Sequence, residues 1–190
     1  MNEKKTNRAR VQMLLIAAVF FGPLAVASWM YYGGHFQPQG KTNHGALLEP
    51  ITNVADAAPE SAIIEIGDGY WLLMYADSAE CLEACKSALY TLRQSRKMLG
   101  KEMDRLKRVF LYGDSAPDST FLAEEHAGLI TLQNDSSVAL LADKKPAELL
   151  SNGFFLVDPL GNLVMYFQPD INPSDMVDDI KRLLKLSRIG

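Results

Sequence analysis

The chain has 190 residues, of which 48% are hydrophobic and 22% are charged, and its formal net charge is −4. This composition is too apolar for a disordered protein and too charged for a protein with many membrane spans, so one folded domain with a short extension fits the length. The acidic balance offers no basic surface for nucleic acid, because phosphate binding depends on Lys and Arg.

The N-terminus has the pattern of a membrane anchor. Residues 1–10 carry four basic residues against one acidic residue, and residues 11–32 contain no charged residue. A helix needs about 20 apolar residues to cross a bilayer core. Trp29, Tyr31 and Tyr32 end the run, as an aromatic belt would. Because basic flanks stay in the cytoplasm, the pattern predicts a cytoplasmic tail at 1–10, a transmembrane helix at 11–32 and an exported remainder.

Two other interpretations of this segment stay open. Ala25-Val26-Ala27 has the form of a signal-peptide cleavage site, although the apolar run continues past it. The third interpretation is a buried helix of a soluble protein, which the basic flank disfavours. An anchor and a signal peptide would both export the domain. Export matters for the cysteines, because outside the cytoplasm a thiol pair becomes oxidised unless a reductant or a metal protects it.

The rest of the chain divides into a linker and a domain with alternating elements. Residues 33–62 are rich in Gly, Pro, Asn and Ala without periodicity, which predicts a linker, and the domain is expected at 63–190. The region 134–152 is ambiguous and reads as a loop with one helical turn on each side of Pro146. The predicted strands are 70–76, 108–112, 129–132, 154–157 and 163–167, and the predicted helices are 81–99, 117–128 and a last one capped by Ser174.

This order, β-α-β-α-β followed by β-β-α, predicts an α/β fold. Strands that alternate with helices indicate a mostly parallel sheet, and the closing hairpin adds an antiparallel pair.

Both cysteines, Cys81 and Cys85, stand at the start of the helix that follows the first strand. Four positions along an ideal helix separate two Cα atoms by about 6 Å, which lies within the disulfide range. With Ser78 as the N-cap, Cys81 falls where free N–H groups favour a thiolate, and Cys85 lies one turn deeper. Cys81 is therefore the expected attacking thiol and Cys85 the resolving thiol, although Glu80 and Glu83 oppose a further negative charge.

The cysteine pair and two other motifs resemble those of a known family. A central strand followed by a helix that starts with a cysteine pair is the thioredoxin pattern, and the spacing Cys81-x-x-x-Cys85 resembles the Sco/SenC family of membrane-anchored cytochrome c oxidase assembly proteins. The stretch FFLVDPLGNLVMYF resembles that family's LLDPxGxF segment. Thr42-Asn43-His44-Gly45 and the L-Y-x-x-R-Q run at 89–94 are similar to motifs of Sco-like membrane proteins of proteobacteria.

The resemblance covers residues 33–187 and implies a thioredoxin-like fold. It also implies a single-pass protein of the bacterial inner membrane with a periplasmic domain. Such a protein would assist cytochrome c oxidase assembly through Cys81 and Cys85, by thiol–disulfide exchange as an oxidoreductase or by transient handling of copper. Its partner would be an oxidase subunit or a copper-chaperone client. The alternative is a non-catalytic scaffold with a structural Cys81–Cys85 disulfide, although a staple across so short a loop contributes little stability.

The chain departs from the family pattern at two places. In Sco proteins a histidine shortly before the LLDP strand completes the copper site, and the matching residues 148–153 contain none. Ordinary thioredoxins place a cis-proline just before this strand, where Asn152 and Gly153 stand here. The candidates for a third copper ligand are His126, His44, Met74 and Met165. Of these, His126 is expected to be an exposed residue at the end of a helix, and Met74 is expected to lie in the core.

Overall fold

Residues 3–33, 42–57, 62–187 and 189 are described in the computed structural model, which divides into two units, Met1–Thr42 and Asn43–Gly190. The first unit contains the helix α1 (Glu3–Tyr32), with Pro23 inside it. Within α1, the segment Arg10–Tyr32 is long and apolar enough to cross a membrane. It is the one such segment among the described residues. The predicted N-terminal apolar helix is therefore present.

The second unit is built on a six-stranded sheet in the order β1-β6-β5-β2-β3-β4. Strands β2, β3 and β4 are parallel to one another, whereas β5 pairs antiparallel with β2 and with β6, and β1 pairs antiparallel with β6. The predicted α/β order with its closing hairpin is confirmed. The strands are β1 (Ala46–Asn53), β2 (Trp71–Asp77), β3 (Leu106–Tyr112), β4 (Leu129–Gln133), β5 (Phe154–Val157) and β6 (Asn162–Phe167).

Strand β1 lies inside the interval 33–62 that the sequence suggested as a linker. It pairs with β6 and buries Leu48, and the pairing shifts register between Leu47 and Thr52. Pro50 interrupts the alternation that would have revealed the strand, and proline is accepted here because β1 is an edge strand. The sheet therefore begins well before residue 63.

Helices cover both faces of the sheet, and α6 corrects the expectation of a loop at 134–152. The first face carries α4 (Glu83–Met98), α5 (Ser119–Glu125) and α7 (Pro173–Leu186), and the second carries α2 (Val54–Ala57), α3 (Ala62–Gly67) and α6 (Asp135–Lys144). Asn134 caps α6 by accepting the N–H of Ser137, and the helix stops before Pro146, so ten residues are helical. Asn172 rather than Ser174 caps α7, and Pro173 takes the first helical position.

Strand β2 forms the centre of the core, because it is covered on both faces. Leu73 and Tyr75 face α4 and α7, whereas Leu72 and Met74 face α3 and α6, and all four are fully buried. This explains the unbroken apolar run at 71–76, which is typical of a central strand between two helical layers. A strand held this firmly provides a rigid base for the residues that follow its C-terminal end.

Candidate functional site

The strand register brings three segments to one end of the sheet, called here the site end. Tyr75 of β2 pairs with Phe154, the first residue of β5, and Phe154 pairs with Phe167 at the end of β6. Ala46 of β1 pairs with Tyr166. The end of β2, the segment before β5 and the residues before β1 therefore all lie at the site end, and the two cysteines follow β2 there.

Cys81 and Cys85 form a disulfide with a Cα–Cα distance of 5.0 Å. The expectation of Ser78 as N-cap is wrong: α4 begins at Glu83 with Leu82 as its N-cap, and Cys81 precedes the helix. The Cα atoms are closer than an ideal helix predicts because residues 81 and 82 are not helical. Cys85 instead occupies the third helical position, so the helix N-terminus acts mainly on Cys85.

The two sulfurs differ in access. Cys85 is 2% exposed and lies in the core between α4 and the sheet, whereas Cys81 is only partly buried. Glu80 and Glu83 are exposed, and the Glu83 carboxylate pairs with Lys86 Nζ at 3.3 Å. The predicted difference in depth between the two cysteines is therefore present. A disulfide partner approaching from solvent meets the Cys81 sulfur first.

The segment before β5 is fixed by a buried tyrosine. The Tyr166 hydroxyl accepts the N–H of Gly153 at 3.0 Å and donates to the Leu150 carbonyl. Asn152 has a positive φ of 60°. Together with Asp77 and Ser78 this segment borders a cavity of about 150 Å³. Sequence reasoning marked Asn152 and Gly153 as a departure from thioredoxins but missed Tyr166, because its apolar neighbours in β6 give no sign of a polar role.

The candidate third copper ligands lie in different parts of the domain. Met74 is fully buried on the face of the sheet opposite Cys85, which confirms it as core. Met165 lies in the same core layer as Cys85, and His44 lies half-exposed with Nδ1 3.8 Å from the Asp175 carboxylate. No group of three His, Cys, Asp or Glu side chains within the described ranges is placed to hold a metal ion. Two thiols without a third such ligand do not fit a copper site of three Cys or His ligands.

His126 corrects the expectation of an exposed helix-terminal residue. It ends α5 with only 3% of its surface exposed, and its ring packs edge-on against Phe121 at 4.9 Å between centroids. Burial is the main cause that lowers the pKa of His126, and the charges of Arg93 and Arg108 lower it further, against a smaller opposing effect of Glu125.

The lowered pKa predicts an acid-dependent loss of stability. The unfolded chain binds a proton at His126 near the ordinary pKa of about 6.5, and the folded chain binds it only at lower pH. Stability from the neutral ring is therefore present above pH 6.5 and lost as the pH falls below it. We expect His126→Gln to flatten the dependence of the unfolding free energy on pH below 6.5, measured by urea titrations at several pH values. Equal slopes for both proteins would contradict this assignment.

The T-N-H-G motif is anchored by a buried carboxylate of α7. Oδ2 of Asp179 accepts the backbone N–H groups of His44 at 2.7 Å and of Gly45 at 2.8 Å. A Cβ on Gly45 would stand 2.6 Å from the Phe167 ring and 2.7 Å from Met165 Sδ, which explains the glycine. The sequence analysis did not identify Asp179, although a charged residue on the apolar stripe of α7 indicates a buried carboxylate.

Comparison with known proteins agrees with this architecture. A family model described as "Transmembrane-like, thioredoxin-like, C-terminal domain" matches residues 71–187, and one described as "Transmembrane-like, N-terminal domain" matches residues 4–34. No curated protein matches the chain.

Solved Sco structures share the fold. Yeast Sco1 with copper bound is 20% identical, covers 65% of this chain and 81% of its own, and superposes with a TM-score of 0.52. Arabidopsis thaliana ScoI with copper bound is 16% identical, covers 65% and 89%, and has a TM-score of 0.53. Apo Sco1 from Thermus thermophilus is 19% identical, covers 74% and 91%, and has a TM-score of 0.51. The domain thus has a Sco-like thioredoxin fold, and the chain belongs to the family of transmembrane-like, thioredoxin-like proteins.

Proposed function

We propose that this chain is a membrane-anchored thiol–disulfide exchange protein whose reactive pair is Cys81 and Cys85. The observation that carries the proposal is a disulfide at the C-terminal end of the central strand with one partly exposed and one buried sulfur. In a thioredoxin-like fold this asymmetry suits an accessible attacking thiol and a protected resolving thiol. We place the tail 1–10 in the cytoplasm, the anchor at 11–32 in the inner membrane, and the rest of the chain, with the domain that begins at β1, in the periplasm.

The exchange runs in two balanced steps. In the reduced protein the Cys81 thiolate attacks a disulfide of the partner, forms a mixed disulfide and releases one partner thiolate. The Cys85 thiolate then attacks Cys81 Sγ, closes the Cys81–Cys85 disulfide and releases the second partner thiolate. Two electrons pass from this chain to the partner, and the described disulfide is the oxidised product. A dithiol reductant returns it to the reduced form.

The residues favour exchange over resident copper. Two of the structural neighbours hold copper, and two cysteine thiolates are soft ligands that Cu(I) prefers. Within the described part of this chain, however, no third His, Asp or Glu ligand accompanies the cysteines. From the resemblance to Sco/SenC proteins we propose, as partner, a cysteine pair in a cytochrome c oxidase subunit or in a copper-chaperone client.

The test uses the full chain in detergent micelles. Wild type is equilibrated in buffers of increasing dithiothreitol-to-oxidised-dithiothreitol ratio, and free thiols are trapped with a maleimide polymer that shifts the band on a gel. We expect both thiols to appear together in one two-electron transition, followed by reoxidation when a model disulfide such as oxidised glutathione is added.

Single-cysteine variants assign the roles. With oxidised glutathione, Cys85→Ser is expected to form a stable mixed disulfide at Cys81 at least tenfold faster than Cys81→Ser forms one at Cys85, because Cys85 is buried. Equal rates would contradict the assigned roles. A pair that stays oxidised in native protein at every ratio, but is reduced after unfolding, would instead support the alternative of a scaffold with a structural disulfide.

A further inference from the structure

A cavity of about 150 Å³ opens at the site end, between the end of β2, helix α6 and the start of β5. The apolar side chains that line it come from these three elements and are Ala76, Val138, Leu141, Ala142 and Phe155. Ser78, Ser151 and Asn152 also border the cavity, and all three are exposed. The cavity is therefore an apolar recess with a polar rim, and we call it the α6 cavity.

The less exposed polar groups that line the α6 cavity are already paired within the chain. Asp77 accepts the hydroxyl of Tyr75 at 2.8 Å and the N–H of Ala79 at 3.0 Å. Nζ of Lys145 donates to two backbone carbonyls of the residues that follow it, at 2.7 and 2.8 Å. The hydroxyl of Tyr166 is paired with the segment before β5. Because these groups have partners and the charges of Asp77 and Lys145 balance, the cavity offers an occupant apolar contact rather than a charge.

The α6 cavity lies close to the accessible sulfur of the reactive pair. Ser78 stands at its rim and precedes Cys81 by three residues. Three residue steps span at most about 11 Å, so the Cα atoms of Ser78 and Cys81 lie within that distance of each other. A partner whose sulfur is bonded to Cys81 can cover the same distance with three residues of its own chain. Residues next to the partner's cysteine can therefore reach the cavity.

The size of the cavity selects the kind of group that fills it. An apolar cavity of about 150 Å³ takes up a molecule of the size of benzene, whereas sites for whole ligands measure about 300–1,000 Å³. One aliphatic or phenyl side chain therefore fills the α6 cavity, and the rest of the partner stays outside it.

We propose that the α6 cavity binds one bulky, uncharged apolar side chain of the exchange partner, of the leucine or phenylalanine type, carried within about three residues of the partner's reactive cysteine. This inference rests on the proposed exchange function and adds to it the class of partner. The side chain positions the partner's disulfide at Cys81 in place of the backbone hydrogen bond of Gly153, which Tyr166 already occupies.

The test follows exchange between the reduced full chain in detergent and disulfide-linked dimers of a short, uncharged peptide. In a series of these peptides, one leucine stands at one of the three positions on either side of the cysteine, and the reference peptide has glycine at all of them. Each rate is divided by the rate of the same peptide with dithiothreitol in the same detergent. We expect at least one leucine peptide to react about fivefold faster or more than the glycine peptide, because burial of the leucine stabilises its complex with the chain.

Two substitutions in α6 locate this preference. Ala142→Leu fills the cavity from an exposed position and should reduce the preference for leucine to less than about twofold. Ala139→Leu adds the same side chain at another exposed position of α6 that does not border the cavity, and it should keep the preference of wild type. Both variants should react with the glycine peptide as wild type does. If Ala142→Leu does not fold, Ala142→Met replaces it.

The outcomes separate this inference from the exchange function. Equal rates for the glycine peptide and every leucine peptide overturn the assignment of the cavity and leave the exchange function standing, whereas no exchange with any peptide overturns both. An equal loss of preference in Ala139→Leu also contradicts the assignment. So does a preference that disappears as the concentration of the chain rises, which would mean that a second copy of the chain fills the cavity.

Discussion

Gly153→Ala is expected to destabilise the domain by about 3–5 kcal/mol or to prevent its folding. A Cβ at position 153 would stand 2.1 Å from the carbonyl oxygen of Phe167 and 2.5 Å from the Tyr166 hydroxyl. The first of these atoms belongs to the backbone of β6, which pairs with β5 at this position, so it moves only if that pairing is disrupted. Urea unfolding of the full chain in detergent, followed by tryptophan fluorescence with Trp71 in the core, measures the change.

Gly100→Ala is the matched control for this prediction. Gly100 has a positive φ, 62°, which Gly153 does not have, and no neighbouring atom lies within 4 Å of the Cβ that alanine would add at position 100. Its expected cost is about 1 kcal/mol, from the backbone conformation alone. A loss at position 153 no larger than the loss at position 100 would show that the contact with β6 does not explain the need for glycine at 153.

The close approach at Gly153 also explains how the chain departs from thioredoxins. The segment before β5 lies beside Asp77 and Ser78 at the site end, where thioredoxins place a cis-proline. Here the backbone of 153 lies against β6, and its N–H is taken by the Tyr166 hydroxyl. The Gly153 N–H is therefore not free to bind an approaching peptide. A partner can still reach the accessible sulfur of Cys81, but it does so without a hydrogen bond to this N–H.

The sequence revealed the elements whose residues repeat with a clear period. The apolar run of β2, the hairpin of β5 and β6 and the stripe of α7 were all predictable because burial on a face leaves a period of two, of 3.6 or an unbroken run. Strand β1 was missed because Pro50 and its edge position remove the alternation. The start of α4 was misplaced because Asp77 and Ser78 have the residue types of an N-cap, whereas the actual N-cap Leu82 uses no side-chain hydrogen bond.

The site was only partly predictable, for a different reason. Cys81 and Cys85 are neighbours in sequence, so their pairing needs no tertiary information. The bond between Asp179 and Gly45 and the cluster of Arg93, Arg108 and His126 join residues that are far apart along the chain. A buried charge looks the same in sequence as an exposed one, and only the packing of α4, α5 and α7 on the sheet shows which charges are buried.

Asp179→Ala is expected to reduce the unfolding free energy by about 3 kcal/mol. It removes one carboxylate oxygen that accepts two backbone N–H groups, and each buried hydrogen bond to a charged group is worth about 1.5–3 kcal/mol. The loss of these bonds frees His44 and Gly45, the residues through which the chain from the N-terminal helix joins β1. We therefore expect faster hydrogen exchange at these two amides, measured by mass spectrometry alongside urea unfolding with unchanged m-value.

Asp178→Ala separates this role from a general effect of charge. Asp178 is the adjacent residue of α7, carries the same charge and is exposed, so its replacement should change the free energy by no more than about 0.5 kcal/mol. Asp179→Asn keeps the size and one acceptor oxygen but loses the charge, and an intermediate loss is expected. If Asp179→Ala and Asp178→Ala were equally stable, the carboxylate would not anchor the T-N-H-G motif, and the packing of Gly45 against Phe167 and Met165 would have to hold it alone.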